Sequence, residues 1–136
     1  MTIKLPRAVS ELVVAHARDA MPDECCGVLL GTAAEVVAAV PARNIADRPH
    51  RFLIDPKDHI DARRTAHRRG LEVVGFYHSH PHSDPYPSPT DKAEATYPDA
   101  ISLIVSLKEG PPRLRAFVIG GDGCVEELEV EAESVQ

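Results

Sequence analysis

Two histidines two positions apart, His78 and His80, close the clearest strand-like run in this sequence, and ten residues then lead to Asp91. The run from Leu71 to His78 reads Leu-Glu-Val-Val-Gly-Phe-Tyr-His. On a strand, residues i and i+2 point to one face, so both imidazoles reach the same side. Residues 79–89 hold Pro81, Pro85, Pro87 and Pro89, which exclude regular structure there. Thr90 is the expected cap of a short helix from Asp91 to about Tyr97. Any fold for this chain must bring that helix start back to the end of a central strand.

The remaining elements follow from periodicity. Pro6 to Ala20 reads as a helix, with Val9, Leu12, Val13, Ala17 and Ala20 forming one apolar stripe. Cys25 to Gly31 is a short apolar run expected to be a buried strand. Glu35 to Ala42 reads as a second strand, and Arg51 to Ile54 as a short third. Asp55 and Pro56 open a helix that runs to about Arg69 and stops at Gly70. Strands are expected at Ile101–Leu107, Arg113–Ile119 and Cys124–Val130, with a frayed tail after Glu131. The order α-β-β-β-α-β-loop-α-β-β-β implies an α+β fold: a mixed, mostly antiparallel sheet flanked by helices, not strict βαβ alternation.

A length of 136 residues fits one domain, expected to span 1–136. Aromatics are 4% and Trp is absent, so the core must be built from Val, Leu, Ile and Ala. A net charge of −6 argues against nucleic acid as a partner. No run approaches the roughly 20 apolar residues that cross a bilayer, and the start of the chain lacks a signal-peptide layout. A cytoplasmic location away from membranes is the expectation. Cys25, Cys26 and Cys124 are odd in number and include no CxxC pair, so neither disulfides nor a thiolate metal site is expected. They are read as small buried hydrophobes.

Two imidazoles and one carboxylate, His78, His80 and Asp91, can hold a metal ion and leave a fourth tetrahedral position open, the arrangement of a catalytic zinc site. Hydrolysis there also needs a proton carrier and an oxyanion donor. Glu24, between a helix end and a strand able to pair beside His78, is the candidate carrier. Ser88, between Pro87 and Pro89, is the candidate donor. Each residue also has a plainer reading. The histidines could be a hydrogen-bonded pair near a capping Asp91, Glu24 a solvated carboxylate, and Ser88 a turn residue. His82 is read as exposed or substrate-contacting rather than metal-binding. Lys57, Arg63, Arg64, Arg68 and Arg69 make one helix basic, either as a solvated face or as a meeting place for an acidic protein.

These residues resemble the JAMM (MPN+) metalloprotease family. Its pattern is a distant Glu, then His-x-His, ten intervening residues and Asp, with Ser three positions before the Asp. Here His78-Ser79-His80 and Ser88-Pro89-Thr90-Asp91 repeat both spacings. Pro22-Asp23-Glu24-Cys25-Cys26-Gly27 is similar to the Glu-bearing segment of prokaryotic members. The resemblance implies a cytidine-deaminase-like JAMM architecture. It implies one zinc ion with a bound water on His78, His80 and Asp91, Glu24 as general acid/base, and Ser88 at the oxyanion. It further implies hydrolysis of the amide after the C-terminal Gly-Gly of a ubiquitin-like or sulfur-carrier protein, in some members with release of cysteine. The tail is expected to add as a strand to the sheet edge near the site. A homodimer is left open. The rivals are a catalytically silent scaffold of the same fold and a DNA-repair-associated relative, the latter disfavoured by the acidic charge.

Overall fold

In the computed structural model the described residues are 2–33, 35–46, 51–93, 97 and 99–132. The elements are β1 (Thr2–Leu5), α1 (Arg7–Ala20), β2 (Cys26–Thr32), β3 (Glu35–Ala42), α2 (Pro56–Arg68), β4 (Glu72–His80), α3 (Pro89–Ala93), β5 (Ile101–Ser106), β6 (Arg113–Ile119) and β7 (Val125–Ala132). The strands form a closed ring in the order β1-β3-β2-β4-β5-β6-β7. β2 pairs antiparallel with β3 and β4, β5 with β6, and β6 with β7. The contacts β4–β5, β1–β7 and β1–β3 are parallel. The expected mixed, mostly antiparallel sheet with flanking helices is therefore present, and it is closed.

Closure depends on β1, which periodicity did not mark as a strand. Its four residues alternate exposed and buried, placing Ile3 and Leu5 in the core. Four residues are too few to announce a period, and their strand character comes from partners β7 and β3. The ring also removes the free edge beside the site, because β4 lies between β2 and β5. The expected added strand has no open side of β4 to join.

The apolar run of β2 is continuous because helices cover it from both sides. Leu29 joins a cluster with Val9, Val13 and Ala17 of α1, whereas Val28 and Leu30 join Ala62 and Ala66 of α2. α1 buries Val9, Val13 and Ala17, successive residues of one stripe. α2 starts where Asp55 accepts a hydrogen bond from the Lys57 amide at 2.9 Å, and the chain turns away from it at Gly70, whose φ is 68°. Gly27 stands opposite Tyr77 in the β2–β4 ladder, and the phenol ring occupies the space a Cβ would need. The Tyr77 hydroxyl reaches His16 Nδ1 of α1 at 2.7 Å, pinning the ring.

β4 contains a bulge. Leu29 pairs with Gly75 and Leu30 with Val73, so Val74 is an extra residue. The insertion resets the alternation. Leu71 and Val73 pack in the α2 cluster beside Phe76, and Val74 joins the α1 cluster with Tyr77.

Three local expectations are corrected. Arg51–Ile54 is not a strand but makes one isolated bridge, Asn44 with Ile54. The Asn44 side chain takes up the backbone of this segment, donating to the Arg51 carbonyl at 3.1 Å and accepting from the Leu53 amide at 3.0 Å. The short helix begins at Pro89, capped by Ser88 rather than Thr90. Tyr97 is not helical, and residues 94–96 lie outside the described set, as does the expected fraying over 133–136. Cys25 and Cys26 are buried as expected, but Cys124 is exposed, since it sits in the turn that opens β7.

Candidate metal centre

His78 and His80 occupy the last turns of the β4 ladder, on the face toward α2 and both nearly fully buried. The proline-rich loop then folds back and delivers Ser88 and Asp91 together. The Ser88 hydroxyl accepts from the Asp91 amide at 3.0 Å, while Asp91 Oδ2 accepts from the Ser88 amide at 2.9 Å. This is the reciprocal logic of a helix-capping box. It fixes the Asp91 carboxylate before any partner is considered.

The result is a compact triangle of heteroatoms. His78 Nε2 lies 3.1 Å from His80 Nε2 and 3.2 Å from Asp91 Oδ2, and His80 Nε2 lies 3.1 Å from the same oxygen. The backbone carbonyl of Asp84 is 2.8 Å from His80 Nδ1. A carbonyl only accepts, so Nδ1 carries the proton, and Nε2 of the neutral ring points its lone pair into the triangle. Four bonds of about 2.0–2.1 Å around tetrahedral zinc set neighbouring ligand atoms about 3.3 Å apart. The observed edges and the two-nitrogen, one-oxygen chemistry fit a zinc-type ion.

Protons respond to the same triangle. Burial alone would lower the basicity of His80, but the Asp91 carboxylate and the Asp84 carbonyl outweigh it and hold the imidazole above its ordinary value. Burial likewise disfavours the charged Asp91, yet hydrogen bonds from the two imidazoles hold its carboxyl far below the usual range. With no metal, the cluster favours a shared proton at the position where a cation fits.

Glu24 lies two residues before β2. Cys26 pairs with His78, and continuing that antiparallel register sets residue 24 level with His80. The Cys25 amide donates to Ser79 Oγ at 2.8 Å, and the Ser79 amide returns a bond to the Cys25 carbonyl at 3.2 Å. The Asn44 amide donates to the Glu24 carbonyl at 3.0 Å. The Glu24 side chain is buried, and one of its carboxylate oxygens lies within 4.8 Å of a ring nitrogen of both His78 and His80. His82 is exposed. All five candidate residues from the sequence thus meet at one place, with His82 outside it.

Sequence reasoning missed the residues that hold this set in place. Asn44 uses both amide protons on the Glu24 and Arg51 carbonyls and its oxygen on the Ala46 and Leu53 amides. Phe52 stacks on His78 with ring centroids 4.3 Å apart. Neither carries a spacing signal, because their roles arise from long-range packing. A cleft of about 410 Å³ opens from His78 and Asp91, with Phe52, Ile54, Phe76 and Tyr97 among its walls.

The buried thiols take no part in acid–base chemistry. Burial pushes Cys25 up to about 11 and Cys26 up to about 12, so neither is a thiolate near neutrality.

Residues 6–120 match the family model for prokaryotic homologs of the JAB domain. The chain is 38% identical over 111 residues to the desampylase of Haloferax volcanii, covering 76% of this chain and 80% of that protein. It is 37% identical over 119 residues to the CysO-cysteine peptidase of Mycobacterium tuberculosis, covering 85% of this chain and 80% of that protein. Among solved structures, a Desulfitobacterium hafniense protein superimposes with a TM-score of 0.88 at 34% identity, covering 99% of this chain and 94% of that one.

Proposed function

Since the chain belongs to the family of prokaryotic JAB-domain homologs, we propose that it is a JAMM-type metallopeptidase acting as one domain over 1–136. In this reading it hydrolyses the amide after the C-terminal Gly-Gly of a small ubiquitin-like or sulfur-carrier protein. The desampylase and the CysO-cysteine peptidase, both more than a third identical, support the substrate class. The observation that carries the chemistry is the triangle of His78 Nε2, His80 Nε2 and Asp91 Oδ2 at 3.1–3.2 Å, with the Glu24 carboxylate beside it.

His78, His80 and Asp91 would hold one zinc ion. Zinc in such a site polarises a carbonyl and brings the pKa of water toward about 7. Glu24 is the base that takes the proton of the attacking water and returns it to the leaving amine. The Ser88 hydroxyl accepts from the Asp91 amide, so its own proton is available to donate to the developing oxyanion. Asp84 keeps His80 in the tautomer that presents Nε2. Asn44 and Ser79 position Glu24 through its backbone and that of Cys25.

The cleft constrains the substrate. Phe52 lies over His78 and narrows the approach, which suits a tail whose last residues lack side chains. The tail's backbone would lie along the Arg51–Ile54 segment, whose other side is held by Asn44. The leaving amine is that of a cysteine or of a lysine side chain, and separate conjugates distinguish them. A silent scaffold of the same fold has no use for a complete donor set with a carboxylate beside it.

The test uses a carrier protein extended past Gly-Gly and mass spectrometry of the products. The zinc-loaded protein should release carrier ending in Gly-Gly. Glu24→Gln should retain zinc but lose at least about 100-fold in kcat, the range of general acid–base contributions. Full activity in that variant would refute the role of Glu24. Failure of the zinc-loaded wild type on both cysteine and lysine conjugates would refute the substrate class.

A further inference from the structure

The exposed face of α2 takes no part in this chemistry, yet it carries concentrated charge. Ile60, Arg63, Arg64 and His67 follow i, i+3, i+4, i+7 spacing, which brings them to one side of the helix. Together with Arg68 they border a groove of about 700 Å³ that Leu71, Glu72 and Val73 line from the sheet side. Three other arginines are paired within the molecule. Arg7 pairs with Glu11, Arg113 with Asp84, and Arg115 with Glu127. Among the described residues, Arg63, Arg64, Arg68 and Arg69 make no ion pair with a carboxylate, and Arg68 reaches the Thr65 hydroxyl at 3.3 Å. A chain with net charge −6 therefore keeps an un-neutralised basic strip.

The strip is joined to the proposed active site. The bulge at Val74 leaves Val73, Phe76 and His78 facing the same helix. His59 of α2 stands in the cleft, with its ring 5.3 Å from that of Phe76. Its neighbour in α2, Ile60, lines the groove, so the two cavities adjoin along the helix. Val73 precedes His78 by five residues, but the bulge takes up one of them, and their β2 partners Leu30 and Cys26 are four apart, about 13 Å along a strand. About four extended residues of a tail span that distance.

We infer that the Arg63, Arg64 and Arg68 face of α2 is the docking surface for the folded body of the carrier protein, received through an acidic patch on that body while its tail runs to His78. This rests on the peptidase reading. A protein fits better than a nucleic acid, because the groove sets apolar Ile60, Leu71 and Val73 inside a rim that is basic on the helix side and carries Glu72 on the sheet side, the mixed composition of a protein interface. The surface acts on encounter and on KM, not on the chemical step.

The test compares R64E/R68E with the charge-keeping R64K/R68K. Both sites are exposed helix positions away from the cleft, and circular dichroism checks folding. The substrates are a conjugate of an acidic ubiquitin-like sulfur carrier and a five-residue peptide amide ending in Gly-Gly before the scissile bond. For the conjugate, R64E/R68E should raise KM at least ~10-fold at low salt with kcat kept, while the peptide's kcat/KM changes less than about twofold. R64K/R68K should restore the conjugate's KM, and 0.5 M salt should erase the wild type's advantage. Equal losses on both substrates, or none on the conjugate, would overturn the proposal. So would loss of self-association in R64E/R68E, or wild-type binding of a labelled RNA oligonucleotide tighter than that of the carrier. If the wild type cleaves neither substrate, the peptidase reading fails. Anisotropy of the fluorescein-labelled carrier then decides docking by itself, since unchanged affinity in R64E/R68E refutes it.

Discussion

Gly27→Ala should destabilise the protein severely, although alanine ordinarily improves a strand interior by about 0.5–1 kcal/mol. A Cβ at position 27 would stand 2.5 Å from Tyr77 Oη and nearer still to ring carbons Cε2 and Cζ. The ring has no room to yield. Tyr77 is fully buried, its hydroxyl is held at 2.7 Å by His16, and β2 and β4 are each paired on both sides. Overpacking a core costs about 1–3 kcal/mol. Breaking the Tyr77–His16 bond and stranding a buried hydroxyl adds about 1–3 kcal/mol. A loss of roughly 3–4 kcal/mol, at a urea slope near 2 kcal/mol/M, lowers the denaturation midpoint by roughly 1.5–2 M. The double-mutant cycle sharpens the claim: in a Tyr77→Ala background the same Gly27→Ala change should cost under about 1 kcal/mol. If Gly27→Ala costs the same in both backgrounds, or less than about 0.5 kcal/mol in the wild type, the ring is not what demands glycine. Activity should fall with stability, because the β2–β4 register that this pair protects also sets Glu24 beside His80.

Stripping the metal should give the protein a pH-dependent stability that zinc then alters. His80 is held above its ordinary 6.5, so its contribution is complete below about pH 6.5 and is lost as pH rises through the raised value. Asp91 is held below its ordinary 3.8, so its contribution is present above that pH and is lost on acidification. Thermal melts from pH 3 to 9 after chelation should decline on both sides, and zinc should abolish the alkaline decline because it binds the deprotonated ring. Identical profiles with and without zinc would contradict this assignment of the triangle. Thiol labelling at pH 8 should modify Cys124 alone in the folded protein, and Cys25 and Cys26 only after denaturation, given their exposed and buried settings. Rapid labelling of Cys25 would show that the region beside Glu24 is not packed as described.

The candidate metal ligands were legible because their geometry is local. An i, i+2 pair on a strand declares its shared face, and a Ser-x-x-Asp run declares a capped helix start that fixes a carboxylate. β2, β3, β6 and α2 were legible for a similar reason, since each is bounded by turn or capping residues such as Asp55 and Gly70. Ring closure was not. β1 has four residues, and its strand identity rests on β7, more than a hundred positions away. Arg51–Ile54 has strand-like residues, but the Asn44 amide satisfies that backbone instead, and no composition rule predicts such a partner. Thr90 and Ser88 both suit a cap, and the reciprocal bond with Asp91 selects Ser88. The positioning roles of Asn44, Asp84 and Phe52 are likewise tertiary.

The extra residue at Val74 separates the two ends of β4 as a clutch separates two shafts. Because side chains alternate with a period of two, Val73 and Phe76, three positions apart, share a face only through that extra residue; a single deletion there would set them two apart, still on one face with His78 and His80. The bulge can therefore lose its residue without turning the stretch that borders the basic groove or disturbing the histidines. A protein built this way can change the local twist beside the groove while the strand end that carries His78 and His80 stays constant.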